Sequence, residues 1–292
     1  MATQRVGGVV RTAANWHTPE FLPLTTGEEA TNLLARALFR DQPRRVELRL
    51  VDRYAPLVQI VRDTAKGSRV LTRTYLRSPY LDVQGDWDTY VRSRSANYRS
   101  SHSRGLKRLE RDGTIEFRVL EGEAISARLP EALAVEASGW KGRRGTAIQS
   151  KPETLQFYRD VVLWATARGS ARLAVLDIDD RMAAFVLGLQ EDTTFFELKT
   201  GFDDAHSHGR PGAVLHHLLL ERLFGVGTTR YEFLGGYDRW KLSLASGVHE
   251  RALVQAFAPT LTGVVDWTAI RYGRPIAGRI RTKAHALGGR QT

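Results

Sequence analysis

The stretch FFELKTGFD, residues 195–203, decides the predicted fold because it has the pattern of a β-strand that runs into a polar loop. Alternation along a strand predicts Phe195, Glu197 and Lys199 on one face. A charged pair beside an aromatic ring suits the lining of a cleft better than a buried core. The sequence therefore predicts a strand whose polar face borders a ligand site.

A helix start follows this strand at Pro211-Gly212, and the next strand ends in LGGYD, residues 234–238. Proline at the first helical position leaves backbone N–H groups free to meet an anion at the positive end of the helix. The two glycines of LGGYD allow a sharp turn and a close approach to a ligand. Together these segments predict a strand–helix–strand unit with an anion-binding helix start.

The composition indicates a folded protein of ordinary polarity. Of the 292 residues, 42% are hydrophobic and 26% are charged, which is typical of globular domains. Cysteine is absent, so disulfides, thiolate metal sites and a cysteine nucleophile are excluded. No apolar run approaches the roughly 18 residues of a membrane span, and no signal-peptide pattern begins the chain. We expect a cytoplasmic enzyme without a transmembrane segment.

Positive charge is concentrated in two segments of this basic chain, whose formal net charge is +11. Residues 92–111 contain seven Lys or Arg and a single acid, Glu110, and the tail after Trp267 is also basic. Such segments favour anionic partners, namely a nucleotide cofactor, tRNA or a lipid headgroup surface. The alternative is that an arginine-rich composition carries no functional meaning.

The pattern of apolar residues and turn signals predicts alternating helices and strands. The predicted helices cover residues 26–39, 86–112 with a break possible near Gly105, 130–138, 153–168 and 211–224. The predicted strands cover residues 46–51, 57–61, 70–75, 115–120, 172–178, 182–189, 193–201, 229–234 and 252–257. Asp179-Asp180 predicts a tight hairpin turn between two of these strands.

Four motifs carry a resemblance to a known family: Trp140-Lys141-Gly142, LKTGFD at 198–203, Pro211-Gly212 and FLGGYD at 233–238. The series resembles GNAT acyltransferases of the CelD, or cellulose-biosynthesis, type, which are related to the Fem-type peptide ligases. The similarity is best over residues 86–257. It implies an α/β fold with a mixed, mainly antiparallel sheet flanked by helices. It also implies a GNAT-like acyltransferase domain at 86–292, with a partial, degenerate GNAT-like half at 1–85.

The family resemblance implies acyl transfer to an amine, with acetyl-coenzyme A or another acyl-coenzyme A as donor. The usual pyrophosphate signature, Arg or Gln followed by x-x-Gly-x-Gly/Ala, is present here only in rearranged form. Gly209, Arg210, Gly212 and Ala213 are the candidate cofactor-binding residues. The Fem-type relatives use aminoacyl-tRNA and need no such signature, so an aminoacyl transferase is the first alternative. A non-catalytic module that binds nucleic acid or an anionic membrane is the second.

Two carboxylates are candidates for the base that removes the proton from the attacking amine. Glu197 lies on the strand, and Asp238 follows the Gly235-Gly236 turn, with Glu232 as a third possibility. The alternatives are an ion pair on a solvated strand face for Glu197 and a helix N-cap for Asp238. The sequence leaves these roles open.

Further residues are candidates for binding a small-molecule, glycan or peptide amine. Lys199 is placed to hold an acidic group of the acceptor, and the other candidates are Glu136, Trp140, Lys141, Asp203 and Lys241. His206-x-His208 and His216-His217 lack the i, i+4 spacing that places two ligands on one face of a helix. We therefore expect no metal site.

Overall fold

The computed structural model describes residues 2–15, 17–22, 24–65 and 69–273, except for the side chains of Trp140 and Lys141. The first elements are β1 (Thr3–Val6), β2 (Val9–Thr12), α1 (Glu28–Phe39), β3 (Arg45–Asp52), α2 (Pro56–Thr64), β4 (Arg69–Asp82), α3 (Trp87–Ser93), α4 (Ala96–Leu109), β5 (Ile115–Leu120), α5 (Glu123–Ser138) and α6 (Trp140–Arg143). The remaining elements are α7 (Pro152–Ala167), β6 (Ala171–Ile178), β7 (Arg181–Glu191), β8 (Thr194–Phe202), α8 (Pro211–Gly225), β9 (Arg230–Glu232), α9 (Arg239–Leu244), β10 (Gly247–Phe257) and α10 (Leu261–Thr268). Among the helices described, none is long and apolar enough to cross a membrane.

The chain divides into two compact units, one of Met1–Arg77 with His249–Thr292 and one of Ser78–Val248. In the first unit the strand order is β1-β2-β3-β10, with β2 and β3 parallel and the other neighbours antiparallel. Its core joins alternate residues of β3 and β10 to the apolar faces of α1 and α2. A domain boundary at residue 85, with a GNAT-like first half, stays a prediction.

The segment predicted as a strand at 57–61 is the helix α2, so that prediction is wrong. Pro56 occupies the first helical turn, where its missing N–H costs nothing. Leu57, Val58 and Val61 are buried, which is helical spacing rather than alternation. The run of branched apolar residues suggested a strand, but packing against α1 selects the helix.

The second unit contains a sheet of order β4-β9-β8-β7-β6-β5, in which only the β8–β9 pair is parallel. Alternate residues of β6 face opposite layers: Leu173 and Val175 pack with α5 and α7, whereas Ala174 and Leu176 pack with α8. The predicted fold class, a mainly antiparallel sheet flanked by helices, is confirmed. The predicted β6–β7 hairpin is also present, with positive φ at both Asp179 and Asp180.

The helices of this unit depart from the sequence prediction at two places. The helix predicted over 86–112 breaks at Arg94, which is extended, and Ser95 caps α4 by accepting from the Tyr98 N–H. Helix α4 continues through Gly105 without a break. A Cβ at this position would lie 2.7 Å from the Gly209 carbonyl oxygen, so glycine allows α4 and the segment at Gly209 to approach each other closely. Helix α5 begins at Glu123 and carries Pro130 inside it, rather than starting there.

Candidate active site

A pocket of about 530 Å³ opens in the second unit where β8 and β9 separate. The two parallel strands pair only from Thr194 opposite Arg230 to Phe196 opposite Glu232. Beyond that point β8 continues to Phe202, while the chain after β9 turns away through Leu234. Residues 197–202 of β8 pair with β7 on one side only. Their other edge, which no longer pairs with β9, lines the pocket.

A bulge in β8 changes which residues share a face. Lys199 pairs with Leu187 and Glu197 pairs with Gly188, so Leu198 is an extra residue without a partner on β7. Glu197 consequently faces α8, and Lys199 lies over the Tyr158 ring of α7 at 5.2 Å on the other side of the sheet. The prediction that Glu197 and Lys199 share a face is wrong, because simple alternation fails at a bulge.

Glu197 is buried in a network of charged and polar side chains. Its Oε2 atom accepts from His216 Nε2 at 2.8 Å and from the Tyr231 hydroxyl at 2.7 Å, and Lys241 Nζ lies 3.9 Å from Oε1. Burial alone raises the pKa of Glu197, but His216, Lys241 and Tyr231 together lower that pKa below its ordinary value. Glu197 is therefore an ionised carboxylate whose Oε2 atom accepts two hydrogen bonds.

The ring of His216 connects this network to the start of α8. Nδ1 lies 2.7 Å from the Gly212 carbonyl oxygen, and Nε2 lies 2.8 Å from the Glu197 carboxylate. Both partners are hydrogen-bond acceptors, and the ring meets each of them through one of its two nitrogens. The edge of Trp240 packs on this ring, with centroids 4.6 Å apart.

Lys241 fixes the turn that follows β9. Its ammonium group donates to the carbonyl oxygens of Phe233 and Leu234, both at 2.9 Å. Leu234 has a φ of 48°, a left-handed conformation that is rare for a non-glycine residue and that the surroundings must stabilise. Lys241 thus holds the pocket wall in place by bonds to the backbone.

Asp238 differs from Glu197 in exposure and in bonding. It lines the pocket and is exposed to solvent. It is the N-cap residue of α9 by position, but its side chain makes no capping hydrogen bond. Both predicted base candidates line the pocket, but Asp238 is exposed to solvent whereas Glu197 is buried.

The predicted cofactor-binding residues divide into two groups. Gly212 and Ala213 line the pocket at the start of α8. The N–H groups of Ala213 and Val214 donate to the Arg210 carbonyl, which leaves the Gly212 N–H of this turn for a ligand. Arg210 donates from Nη1 to Ser101 Oγ at 2.8 Å, and neither it nor Gly209 lines the pocket.

The predicted acceptor-binding residues are also distributed unevenly. Glu136 lines the pocket, is buried and accepts from the Ile148 N–H at 2.8 Å. Asp203 caps a 3₁₀ helix by accepting from the Ala205 N–H, and it lies outside the pocket lining. Glu232 is buried, and its Oε1 atom lies 3.8 Å from Arg230 Nη1. It does not line the pocket either. The side chains of Trp140 and Lys141 lie outside the described part of the molecule.

Three residues that the sequence did not single out belong to the site: His216, Tyr231 and Trp240. The sequence signal for His216 was its position one helical turn after Gly212, on the same face of α8. Tyr231 had no such signal, because only the pairing of β8 with β9 places it beside Glu197. In the described ranges, no cluster of three or more His, Asp or Glu side chains could hold a metal ion.

Residues 96–242, just over half of the chain, match the family described as Acetyltransferase (GNAT) domain. No curated protein matches the chain in sequence.

Several solved structures share the fold at low sequence identity. The C-terminal domain of a putative lysylphosphatidylglycerol synthetase from Agrobacterium fabrum has 13% identity and a TM-score of 0.58, over 92% of this chain and 83% of that chain. For L-PGS from Bacillus licheniformis the identity is 13% and the TM-score 0.52, over 93% and 85%. For FemX the identity is 10% and the TM-score 0.54, over 86% and 82%. From the match over half its length, the chain belongs to the GNAT acetyltransferase family and is an acyltransferase.

Proposed function

We propose that the protein transfers an acyl group, acetyl in the simplest case, from acyl-coenzyme A to a primary amine by direct attack. The observation that carries this proposal is the exposed carboxylate of Asp238, which makes no capping hydrogen bond to α9. It lines the same pocket as the unpaired edge of β8 and the start of α8. The pocket walls are mostly apolar, with Leu198, Phe202 and Phe233 among them, and a narrow apolar pocket suits a thioester arm.

In this mechanism the pocket brings amine and thioester together in one ternary complex. Asp238 accepts the proton that the ammonium group or its tetrahedral adduct must lose. The amine nitrogen forms a bond to the thioester carbon, the carbon–sulfur bond breaks, and the thiol leaves with a proton. A backbone N–H of β8 beyond Phe196 can donate to the developing oxyanion, because β9 does not pair with this part of the strand.

Glu197 has a different part in the proposal. Its carboxylate is already bonded to His216 and Tyr231, so it is poorly placed to take a proton from substrate. We assign Glu197 to stabilising the pocket walls. His216 lies between the Glu197 carboxylate and the Gly212 carbonyl oxygen at the start of α8. Lys241, next to Glu197, donates to the Leu234 carbonyl in the turn after β9. Lys199 and Glu136 remain the candidates for binding the acceptor.

The test combines donor screening with two isosteric variants. Thermal shift with acetyl-coenzyme A and longer acyl-coenzyme A thioesters identifies a donor, because ligand binding stabilises the folded state. With that donor, Asp238→Asn should lower kcat by about 10²–10⁴ with an unchanged melting temperature. Asp88→Asn, at an exposed acid of α3, is the matched control and should retain full activity. Full activity of Asp238→Asn would refute the assignment of the base.

A second candidate function, transfer of an aminoacyl group from tRNA, is favoured by the basic surface of α3 and α4. Arg92, Arg99, Arg104, Lys107 and Arg108 are exposed along these helices. Such a surface binds polyanions with an affinity that falls steeply as salt releases counterions. Reversing charge at Arg104 and Lys107 should flatten the salt dependence of tRNA binding, whereas acyl-coenzyme A turnover should not change. The CelD-type resemblance and a cytoplasmic location stay predictions.

A further inference from the structure

A second cavity, of about 250 Å³, lies in the unit Ser78–Val248. β8 contributes Phe195 to it, and α8 contributes Leu219 and Leu223. The candidate active-site pocket takes β8 residues after Phe195 and α8 residues before Leu219, and no described residue lines both sites. The second cavity is therefore a separate site at the other end of the same strand and helix.

The second cavity combines apolar core side chains with exposed charged ones. Phe195, Leu219 and Leu223 are buried, whereas Arg222 and Asp192 are exposed. Apolar walls with a few polar groups are the usual form of a small-molecule site. The volume is below the roughly 300–1,000 Å³ of most ligand pockets, so the cavity suits a small metabolite rather than a nucleotide.

The charges of the second cavity are balanced and only partly paired. Arg172 is fixed, because its Nε atom lies 3.2 Å from Glu121 Oε1 and its Nη1 atom donates to two backbone carbonyl oxygens at 2.8 Å. Arg222 and Asp192 form no ion pair with any side chain in the described part of the chain. They supply one unpaired positive charge and one unpaired negative charge to the same cavity.

Thr228 adds an uncharged polar group to the lining. The residue is only 5% exposed, and within the described ranges no group lies at hydrogen-bond distance from its hydroxyl. Burying a hydroxyl without a hydrogen-bond partner is unfavourable for the folded protein. A ligand oxygen in the cavity would supply that partner.

We propose that the second cavity binds a free α-amino acid with an apolar side chain. The carboxylate of the ligand bonds to Arg222 and to the Thr228 hydroxyl, its ammonium group meets Asp192, and its side chain packs on Phe195 and Leu219. A simple anion would leave Asp192 unpaired, and a simple amine would leave Arg222 unpaired. Only a zwitterion satisfies both charges, and only an apolar side chain uses the buried wall.

Isothermal titration calorimetry of the full chain tests this proposal with leucine and three partial analogues. Isocaproate lacks the ammonium group of leucine, isoamylamine lacks the carboxylate, and glycine lacks the side chain. The first two should bind at least about tenfold more weakly than leucine, because each loses a charged hydrogen bond. Glycine should also bind more weakly, because it buries no apolar side chain.

Two variants test the contacts of the carboxylate. Arg222→Met and Thr228→Val should each weaken leucine binding by about tenfold or more. Thr228→Val replaces an unpartnered hydroxyl with a methyl group, so the melting temperature without leucine should stay the same or rise, which a hydroxyl that stabilises the fold would not allow. Arg159→Met, at an exposed arginine of α7, is the matched control and should bind leucine like the unaltered protein.

The proposal is overturned if none of leucine, valine and phenylalanine gives binding heat at millimolar concentration. It is overturned as well if isocaproate or isoamylamine binds as tightly as leucine, or if Arg222→Met and Thr228→Val both bind leucine like the control. Loss of leucine binding in Asp238→Asn would place leucine in the active-site pocket, which also contradicts a separate site.

Discussion

Two adjacent histidines of α8, His216 and His217, occupy environments of opposite character. Both are buried, at 4% and 8% exposure, so burial does not separate them. His216 lies between a carboxylate and a carbonyl oxygen. His217 stacks on His102 with ring centroids 3.3 Å apart and lies beside Tyr98 and Trp87. Neighbours in sequence point about 100° apart on a helix, so each residue meets a different layer of the unit.

The partners of the two rings differ in kind. His216 lies within hydrogen-bond distance of two acceptors, the Glu197 carboxylate and the Gly212 carbonyl oxygen. Burial and then the neighbouring His102 lower the pKa of His217 to about 3, so its ring is neutral. Burial of His102 lowers the pKa of that residue in the same direction. Equal burial thus accompanies two acceptor partners at one position and a strongly lowered pKa at the next.

The comparison predicts that the two positions tolerate an apolar ring very differently. His216→Phe leaves the buried Glu197 carboxylate without its contact to His216, so the free energy of unfolding should fall by about 3–5 kcal/mol. His217→Phe keeps an aromatic ring in the stack and loses one hydrogen bond to Tyr98, which should cost only about 0.5–1.5 kcal/mol. Urea denaturation of both variants measures the difference. Equal losses would contradict a special dependence of the buried Glu197 carboxylate on His216.

The sequence predicted the parts of the second unit that depend on local patterns. The hairpin at Asp179-Asp180 and the helix beginning at Pro211 are both present, because turn residues and a first-turn proline act locally. The helix predicted to begin at residue 86 does begin there, because Asp86 caps α3 by accepting from the Thr89 N–H at 2.8 Å. In the first unit, α2 was missed because the run 57–61 fits a strand and a short helix equally well, and only packing decides.

The site residues were harder to predict because long-range pairing creates the site. The β8 bulge at Leu198 depends on its register with β7, and that one residue moves Lys199 to the opposite face from Glu197. The role of His216 depends on α8 packing over Glu197, which is 19 residues earlier in the chain. A sequence pattern reports which faces are polar, but it does not report which polar groups meet.

The hydroxyl groups of Tyr231 and Tyr98 allow the same comparison with a smaller expected effect on stability. Tyr231 donates to the ionised Glu197 at 2.7 Å, whereas Tyr98 lies 2.9 Å from Nδ1 of the neutral His217. A hydrogen bond to a charged group contributes about 1.5–3 kcal/mol and one between neutral groups about 0.5–1.5 kcal/mol. Tyr231→Phe should therefore lower the free energy of unfolding more than Tyr98→Phe, and each variant is the control for the other. The reverse order would contradict an ionised Glu197.

The last expected effect is a change in how stability depends on pH. The folded-state pKa of His217 is about 3, against an ordinary value of 6.5. Above pH 6.5 the ring is neutral in both states, and its contribution to stability is complete. As pH falls from 6.5 towards 3, the unfolded chain takes up a proton that the folded protein does not, so stability decreases. The slope for one such histidine is at most about 1.4 kcal/mol per pH unit.

The stability contributed by the lowered pKa of Glu197 is lost only as pH falls below the ordinary value of 4.5. Urea denaturation between pH 4.5 and 6.5 therefore reports on the histidines without that carboxylate. In this window His217→Phe should flatten the slope by most of one proton, and adding His102→Phe should flatten it further because the pKa of His102 is also lowered. An unchanged slope in His217→Phe would mean that the folded protein admits a proton at this position. The stacked pair would then be charged, and the contrast between the two neighbours on α8 would disappear.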